Sequence, residues 1–241
     1  MRPAFSGALA ANVLAIFGFL GLLFFFSQYL QLVRHYGPLK AGIAELPATF
    51  TSVLVVALIG ILLTRLGAGR AIGLGLLVAA LGLALMGLSV DLSSYWGLGI
   101  GLAVIGLGVG VAMTLSTDAV VSAVPERRAG AASAVAETAY ELGGALGIAV
   151  LGSLHGLLYR ASLTLPADAS AADRALAEDS LVSATYDARS TDVVTAAQDA
   201  FAQAMQTSTF LAAAILLGAA VVAWKVIPSE TMSSGGQRAE H

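Results

Sequence analysis

The chain has 241 residues, of which 58% are hydrophobic and 11% are charged, and its mean hydropathy is +0.86. Soluble domains carry about 25% charged residues, so this balance is typical of a protein that is solvated by lipid. The net charge of −3 argues against a nucleic-acid partner, and the absence of cysteine excludes disulfides, iron–sulfur clusters and thiolate metal sites. The lipid bilayer is therefore the first expected partner.

Six stretches are long and apolar enough to cross a bilayer whose core is about 30 Å thick. The first runs from Pro3 to Val33 without a charged residue, which is far longer than the core of a secretory signal. The sequence therefore predicts an all-α membrane protein, with a six-helix transmembrane unit over residues 1–228 and a flexible cytoplasmic tail over residues 229–241. The other five spans are predicted at residues 42–64, 71–90, 95–116, 129–158 and 201–226.

The basic residues are distributed unequally between the two sides of the predicted bundle. With the N terminus in the cytoplasm, seven lie inside and five outside, and two of the outer five lie deep in a long loop, where they count for less. We therefore expect a multi-pass protein of the inner (cytoplasmic) membrane with both termini in the cytoplasm. The inner set is Arg2, Arg65, Arg70, Arg127, Arg128, Lys225 and Arg238, and the outer set is Arg34, Lys40, Arg160, Arg174 and Arg189.

The long outer loop, residues 160–200, is the only sizeable polar segment between the predicted spans. It carries seven acidic residues and three arginines. Alanine-rich stretches at residues 171–181 and 193–205 favour short surface helices. We interpret the segment as a solvated extracytoplasmic loop, with a role as a lid or a partner-binding surface as the alternative.

Two glutamates, Glu137 and Glu141, lie one turn apart in the fifth span. On a helix they are about 6 Å apart along the axis and share one face. A carboxylate at mid-membrane depth costs on the order of 2.5–3.5 kcal/mol and usually marks a functional site. Repulsion between two carboxylates in a low dielectric favours a pair that holds one proton and releases it when a cation arrives. We therefore predict a proton relay or a counter-charge for a cationic substrate, with a structural acid pair as the alternative.

Three further polar residues lie in or near these spans. Tyr140, between the two glutamates, is expected either to contact an organic cation or a glutamate, or to serve packing alone. Asp118, at the end of the fourth span, is interpreted as solvated or paired with Arg127 or Arg128, with a gating or ion-path role as the alternative. His155 has no second ligand at a metal-binding spacing, so no metal site is predicted.

The fifth span contains a pair of closely spaced glycines, and the sequence lacks the common catalytic motifs. Gly143 and Gly147 are four residues apart in the fifth span, a spacing that lets membrane helices approach closely. The sequence contains no P-loop, Gly-x-Ser-x-Gly or His-Glu-x-x-His motif. We therefore expect a membrane protein that is not an enzyme.

The sequence becomes most specific around the fifth span. Residues 116–118, 124–134 and 137–153 resemble the major facilitator superfamily, and more narrowly its fourteen-helix drug:proton antiporters that export quaternary ammonium compounds. Residues 24–31 and 37–42 are similar to the start of the C-terminal six-helix half of that family. The resemblance implies that the six transmembrane helices form one half of a major facilitator fold, whose N-terminal half is a missing partner.

The resemblance also implies an activity, which is proton-coupled efflux of lipophilic organic cations, driven by the proton gradient without a cofactor. In that family an acid in the penultimate helix takes part in cation recognition and proton coupling, and Glu137 and Glu141 occupy the matching segment. A short loop containing Arg65, Gly69 and Arg70 resembles a weak copy of the cytoplasmic gating loop, without its aspartate. A carrier of a small neutral metabolite and a stand-alone accessory membrane protein remain as alternatives. We expect this chain to be inactive by itself.

Overall fold

The computed structural model describes residues 3–227 and contains only helices and their connections in that range. The flexible tail predicted for residues 229–241 lies outside the described residues. The first helix ends in a π-helical turn, Tyr29–Val33. The helices are α1 (Pro3–Gln28), α2 (Pro38–Leu54), α3 (Val56–Leu66), α4 (Ala68–Ser89), α5 (Trp96–Ser122), α6 (Ala129–Ser162), α7 (Ala171–Asp179), α8 (Leu181–Asp187) and α9 (Thr191–Val226).

Five of the helices in residues 3–227 are long and apolar enough to cross a membrane, namely α1, α4, α5, α6 and α9. The pair α2–α3 provides a sixth span if it counts as one, and its two parts are bent by 53°. Just before the bend, Thr51 Oγ1 donates to the Pro47 carbonyl at 2.9 Å and Ser52 Oγ to the Thr49 carbonyl at 2.8 Å. Hydroxyls that bond back to the preceding turn bend helices. The predicted all-α membrane fold is confirmed, with the second span broken.

Two helices are longer than hydropathy predicts. Helix α5 continues to Ser122, so Asp118 lies within the helix instead of at its end. Helix α9 begins at Thr191, ten residues before the predicted start of the sixth span. The short helix expected at residues 193–205 is therefore the first part of α9 and not a separate element. Its first turns bury Val193, Ala197 and Ala200 and expose polar residues between them. An amphipathic extension of this kind has too low a mean hydropathy to be recognised as part of a span.

The chain crosses the bundle back and forth, so the connections between its long helices lie alternately at two ends. The terminal end contains Gly67, residues 123–128 and both ends of the described chain. The loop end contains residues 34–37, 91–95 and 163–190. Helix α4 packs against α5 and α9, whereas α1 packs against α5, α6 and α9.

Helices α1 and α6 cross at backbone contact. A Cβ atom added to Gly143 would lie 2.7 Å from the Val13 carbonyl oxygen, and one added to Gly147 would meet the carbonyl of Phe17. No side chain fits at either position without moving α1. The two glycines therefore allow the close helix approach that their spacing predicts.

At the loop end, residues 163–190 form a folded cap. Ala177, Leu181 and Ala184 of α7 and α8 are buried, and the Tyr159 hydroxyl donates to the Ala177 carbonyl at 2.7 Å. The segment interpreted as a solvated loop contains a helix close to the expected residues 171–181, and it packs onto the loop-end turns of α6 and α9.

Arg34 fastens the loop end on the other side of the bundle. Its Nε donates to the Tyr29 hydroxyl at 2.7 Å and its Nη1 to the Ser93 carbonyl at 2.8 Å, while Nη2 donates to the carbonyl of Leu92. Tyr29 in turn donates to the Val90 carbonyl at 2.7 Å. The guanidinium group thus joins the end of α1 to the connection between α4 and α5.

Candidate substrate and proton site

Helix α6 positions the predicted acidic pair. Its buried side carries Gly143, which contacts α1. Glu137 and Glu141 lie about 120° and 160° around the helix from Gly143, at 3.6 residues per turn. Both glutamates are exposed, and Tyr140, which lies between the two faces, is half-buried. At the level of Gly143, the two carboxylates therefore share a face that turns away from α1.

Within residues 3–227, few side chains of other helices cover this face of α6. In the most apolar stretch of α6, only 33% of the residues are buried, compared with 61% in the corresponding stretch of α4. Leu142, Leu146 and Ile148 are at least 40% exposed on α6, and Ile148 lies at the same angle around the helix as the glutamates. In a membrane, a surface that combines large apolar side chains with two carboxylates must be covered by lipid or by another protein element.

The structure does not bring Asp118 together with the glutamates. Asp118 is exposed near the end of α5. On α1, Asn12 Nδ2 donates to Thr117 Oγ1 of α5 at 3.1 Å, and the adjacent residue Val13 contacts Gly143 of α6. At this level, α1 therefore lies between the helix of Asp118 and the helix of the acidic pair.

The segment that resembles a gating loop is almost entirely helical. Arg65 lies in the last turn of α3, and Gly69 and Arg70 lie in the first turn of α4. Both arginines are exposed and Gly69 is buried. The connection is the single residue Gly67, with φ 74° and ψ 165°, a conformation that is essentially restricted to glycine. A one-residue turn therefore sets the geometry between α3 and α4.

Sequence reasoning missed Asn12, which is the only asparagine of the chain and is 1% exposed. Its Oδ1 has no hydrogen-bond partner among the described residues. A lone amide in an apolar span was the available signal, because polar side chains inside membrane bundles commonly join helices.

An aromatic cluster around His155 was also missed. The imidazole stacks on Phe25 with ring centroids 4.4 Å apart, and it meets the Phe201 ring edge-to-face at 4.4 Å. His155 and Tyr159 follow Glu137 and Glu141 by eighteen residues each, which is five full turns. That spacing was the available signal, since it places all four side chains on one face of α6.

A sequence model of the Major Facilitator Superfamily matches residues 1–148. The chain belongs to this superfamily. Its relatives include multidrug efflux pump LfrA of Mycolicibacterium smegmatis, which is 34% identical over 224 residues, with 90% of this chain and 44% of LfrA covered. Methyl viologen resistance protein SmvA of Salmonella typhimurium is 33% identical over 232 residues, with 92% of this chain and 46% of SmvA covered. Multidrug resistance protein Stp of Mycobacterium tuberculosis is 29% identical over 251 residues, with 97% of this chain and 46% of Stp covered.

These similarities confirm the predicted resemblance to the multidrug-efflux type of the superfamily, and with it the multi-pass membrane fold. Members of the superfamily are membrane carriers. The chain spans less than half the length of the relatives named above.

Proposed function

We propose that this chain forms one half of a proton-coupled exporter of lipophilic organic cations in the inner membrane, with both termini in the cytoplasm. The observation that carries the proposal is the acidic pair, Glu137 and Glu141, on the open apolar face of α6. The names of the relatives support it, since LfrA is a multidrug efflux pump and SmvA confers methyl viologen resistance. Methyl viologen is an aromatic dication, which is the class of ligand that two carboxylates attract.

The coupling follows from competition for the same negative charge. A cation about 4 Å from a carboxylate gains roughly 4 kcal/mol at an effective dielectric constant of 20. A proton on the same carboxylate removes that attraction, so cation binding expels the proton and protonation expels the cation. Tyr140, one residue before Glu141, is placed to offer its ring or its hydroxyl to the bound cation. The proton gradient supplies the energy, and no cofactor is needed.

The open face of α6 requires a second half of the transporter. Carriers of this architecture bind substrate between two halves near the membrane midplane. An N-terminal half, packed against α6, would enclose the two glutamates and exclude water from them. In this arrangement Arg65, Gly69 and Arg70 form part of the cytoplasmic gate, and Asp118 lies on the ion path at the same end.

The test is efflux of ethidium by the transporter that contains this chain, in cells without other drug exporters and under an imposed proton gradient. Replacing both acids (Glu137→Gln and Glu141→Gln) should reduce efflux by at least about tenfold, the equivalent of 1.4 kcal/mol. Glu178→Gln in the cap is the control, because it makes the same kind of substitution at an exposed site away from the acidic pair. It should leave efflux unchanged.

Unchanged efflux of both monovalent and divalent cations in the double variant would overturn the proposal. Competition by a panel of cations and neutral solutes distinguishes cation export from transport of a neutral metabolite. Only cations should slow ethidium efflux if the acidic pair binds the substrate directly.

A further inference from the structure

A cavity of about 220 Å³ opens at the loop end, between α1, α6, α9 and the beginning of α8. Five aromatic side chains line it. His155 lies between the rings of Phe25 and Phe201, and the Tyr159 and Phe201 centroids are 6.5 Å apart. Phe24, which contacts Phe25 edge-to-face, completes the set.

His155 is the unusual member of this lining. It is 3% exposed, and neither ring nitrogen has a hydrogen-bond partner in residues 3–227. A buried polar group without a partner costs about 1–3 kcal/mol. Both nitrogens are enclosed by protein, so a ligand in the cavity meets His155 through its ring and not through a hydrogen-bonding nitrogen.

The charges around the mouth favour a positive ligand. Asp179 lines the cavity and is exposed, and its Oδ2 accepts hydrogen bonds from Ser183 Oγ at 2.7 Å and from Ser180 Oγ at 3.3 Å. Arg160, the basic residue in the lining, donates its Nε to the Glu178 carbonyl at 3.3 Å. Residues 160–199 carry seven acids against three arginines, so the field at this end attracts cations.

The space suits a small ligand group. A Cβ added to Gly156 would meet no heavy atom within 4 Å, so this position contributes free volume beside His155. The cavity is smaller than the roughly 300 Å³ at the lower end for sites that hold a whole drug-sized molecule. It therefore accommodates one aromatic ring with its charged substituent.

We propose that this cavity is an outer binding site for an organic cation that carries an aromatic ring. The ring lies beside the packed rings of Phe25, His155 and Phe201, and the ammonium group lies at the mouth near Asp179. The inference rests on the proposed function, because it gives the exported cation a second binding site on the face of α6 that carries the acidic pair. The two sites are about 27 Å apart along the axis of α6, because eighteen residues separate His155 from Glu137.

Histidine-selective NMR of the purified chain in lipid nanodiscs tests the site directly. The chain has three histidines, His35, His155 and His241. The probe is benzyltrimethylammonium, and the His155 signal is identified by its loss in His155→Phe. Titration should shift the His155 signal and leave that of His35 unchanged. Phenylmethanesulfonate, which carries the same ring with a negative group, should shift neither.

Three variants measure the contributions to binding. Gly156→Leu fills the cavity and should abolish binding, whereas Gly218→Leu, which also meets open space but on α9, is the matched control. Asp179→Asn should weaken binding about two- to fivefold. Size-exclusion profiles of all variants establish that they are folded.

A His155 signal that does not move at saturating probe, or wild-type affinity in Gly156→Leu, would overturn the outer site. The double variant of the acidic pair separates the two proposals. Retained probe binding at His155 with full ethidium efflux in that variant would overturn the proposed function alone. An unmoved His155 signal in the wild-type chain with efflux abolished in the double variant would overturn the outer site alone.

Discussion

Helices α4 and α6 are both apolar and both long enough to span a membrane, but they are packed very differently. In its most apolar stretch, α4 has 61% of its residues buried, whereas α6 has 33%. On α4, a Cβ added to Gly75 would lie 2.8 Å from the Gly108 carbonyl oxygen of α5, and one added to Gly82 would lie 2.6 Å from the Ile105 nitrogen. Helix α4 has no acidic residue, whereas α6 has two on its open face. Hydropathy thus finds both spans, and only packing separates the covered helix from the one with an open face.

The same contrast exists between the two faces of α6. Gly143 and Gly147 contact α1, while Glu137 and Glu141 face outwards. Substitutions on the packed face should therefore change folding, and substitutions on the open face should change binding and transport. Single substitutions on the packed elements test this division.

Gly143→Leu should unfold or severely destabilise the bundle. Its first side-chain atom would already lie 2.7 Å from the Val13 carbonyl oxygen, so α1 and α6 must separate. We expect a cost of at least about 3 kcal/mol, at the upper end for overpacking. Thermal unfolding in detergent measures it, with Gly218→Leu as the control that meets open space. Equal Tm values for the two variants would contradict the close crossing of α1 and α6.

Arg34→Ala should destabilise the loop end by about 1.5–3 kcal/mol, because it removes charge-assisted hydrogen bonds to Tyr29 and Ser93. Lys40→Ala is the matched control, since Lys40 Nζ lies 3.8 Å from the centroid of the Tyr36 ring. Loss of that cation–π contact should cost about 0.5–1 kcal/mol. An effect of Lys40→Ala as large as that of Arg34→Ala in the same unfolding measurement would refute the role of Arg34.

Gly67→Ala should cost about 1–2 kcal/mol, because alanine is strained at φ 74°. Gly60→Ala, inside α3 and without neighbours within 4 Å of the added Cβ, should instead stabilise the chain by about 0.5–1 kcal/mol. Opposite signs in the same denaturation experiment are the expected result. A neutral Gly67→Ala would show that the turn between α3 and α4 does not need glycine.

Asn12→Ala should have the smallest effect, about 0.6 kcal/mol, the average for a hydrogen bond between membrane helices. A double-mutant cycle with Thr117→Val isolates the interaction, since Asn12 Nδ2 donates to Thr117 Oγ1. Additive effects of the two substitutions would mean that this bond contributes nothing to holding α1 against α5.

The sequence predicts the spans well because lipid imposes a simple rule on their composition. It underestimates the length of α9, whose first turns are amphipathic and pack on the cap through Val193 and Ala197. It predicts a short helix at residues 171–181 but not the burial of that helix, because the contacts that fold the cap, such as Tyr159 to Ala177, join residues on separate helices.

The site is predictable only in part for a similar reason. Helical spacing places Glu137 and Glu141 on one face, but it cannot tell whether that face is covered. The position of α1 between Asp118 and the acidic pair, and the rings of Phe25 and Phe201 around His155, depend on long-range packing. Spacing along one helix does not contain that information.

The most direct test of the central claim counts the protons released when a cation binds. The purified transporter that contains this chain is titrated with tetraphenylphosphonium in weakly buffered solution, beside the variant with Glu137→Gln and Glu141→Gln. A pair of carboxylates shared by proton and cation should release about one proton per bound cation in the wild type and none in the variant. Binding without proton release in the wild type, or equal release by both proteins, would contradict the account.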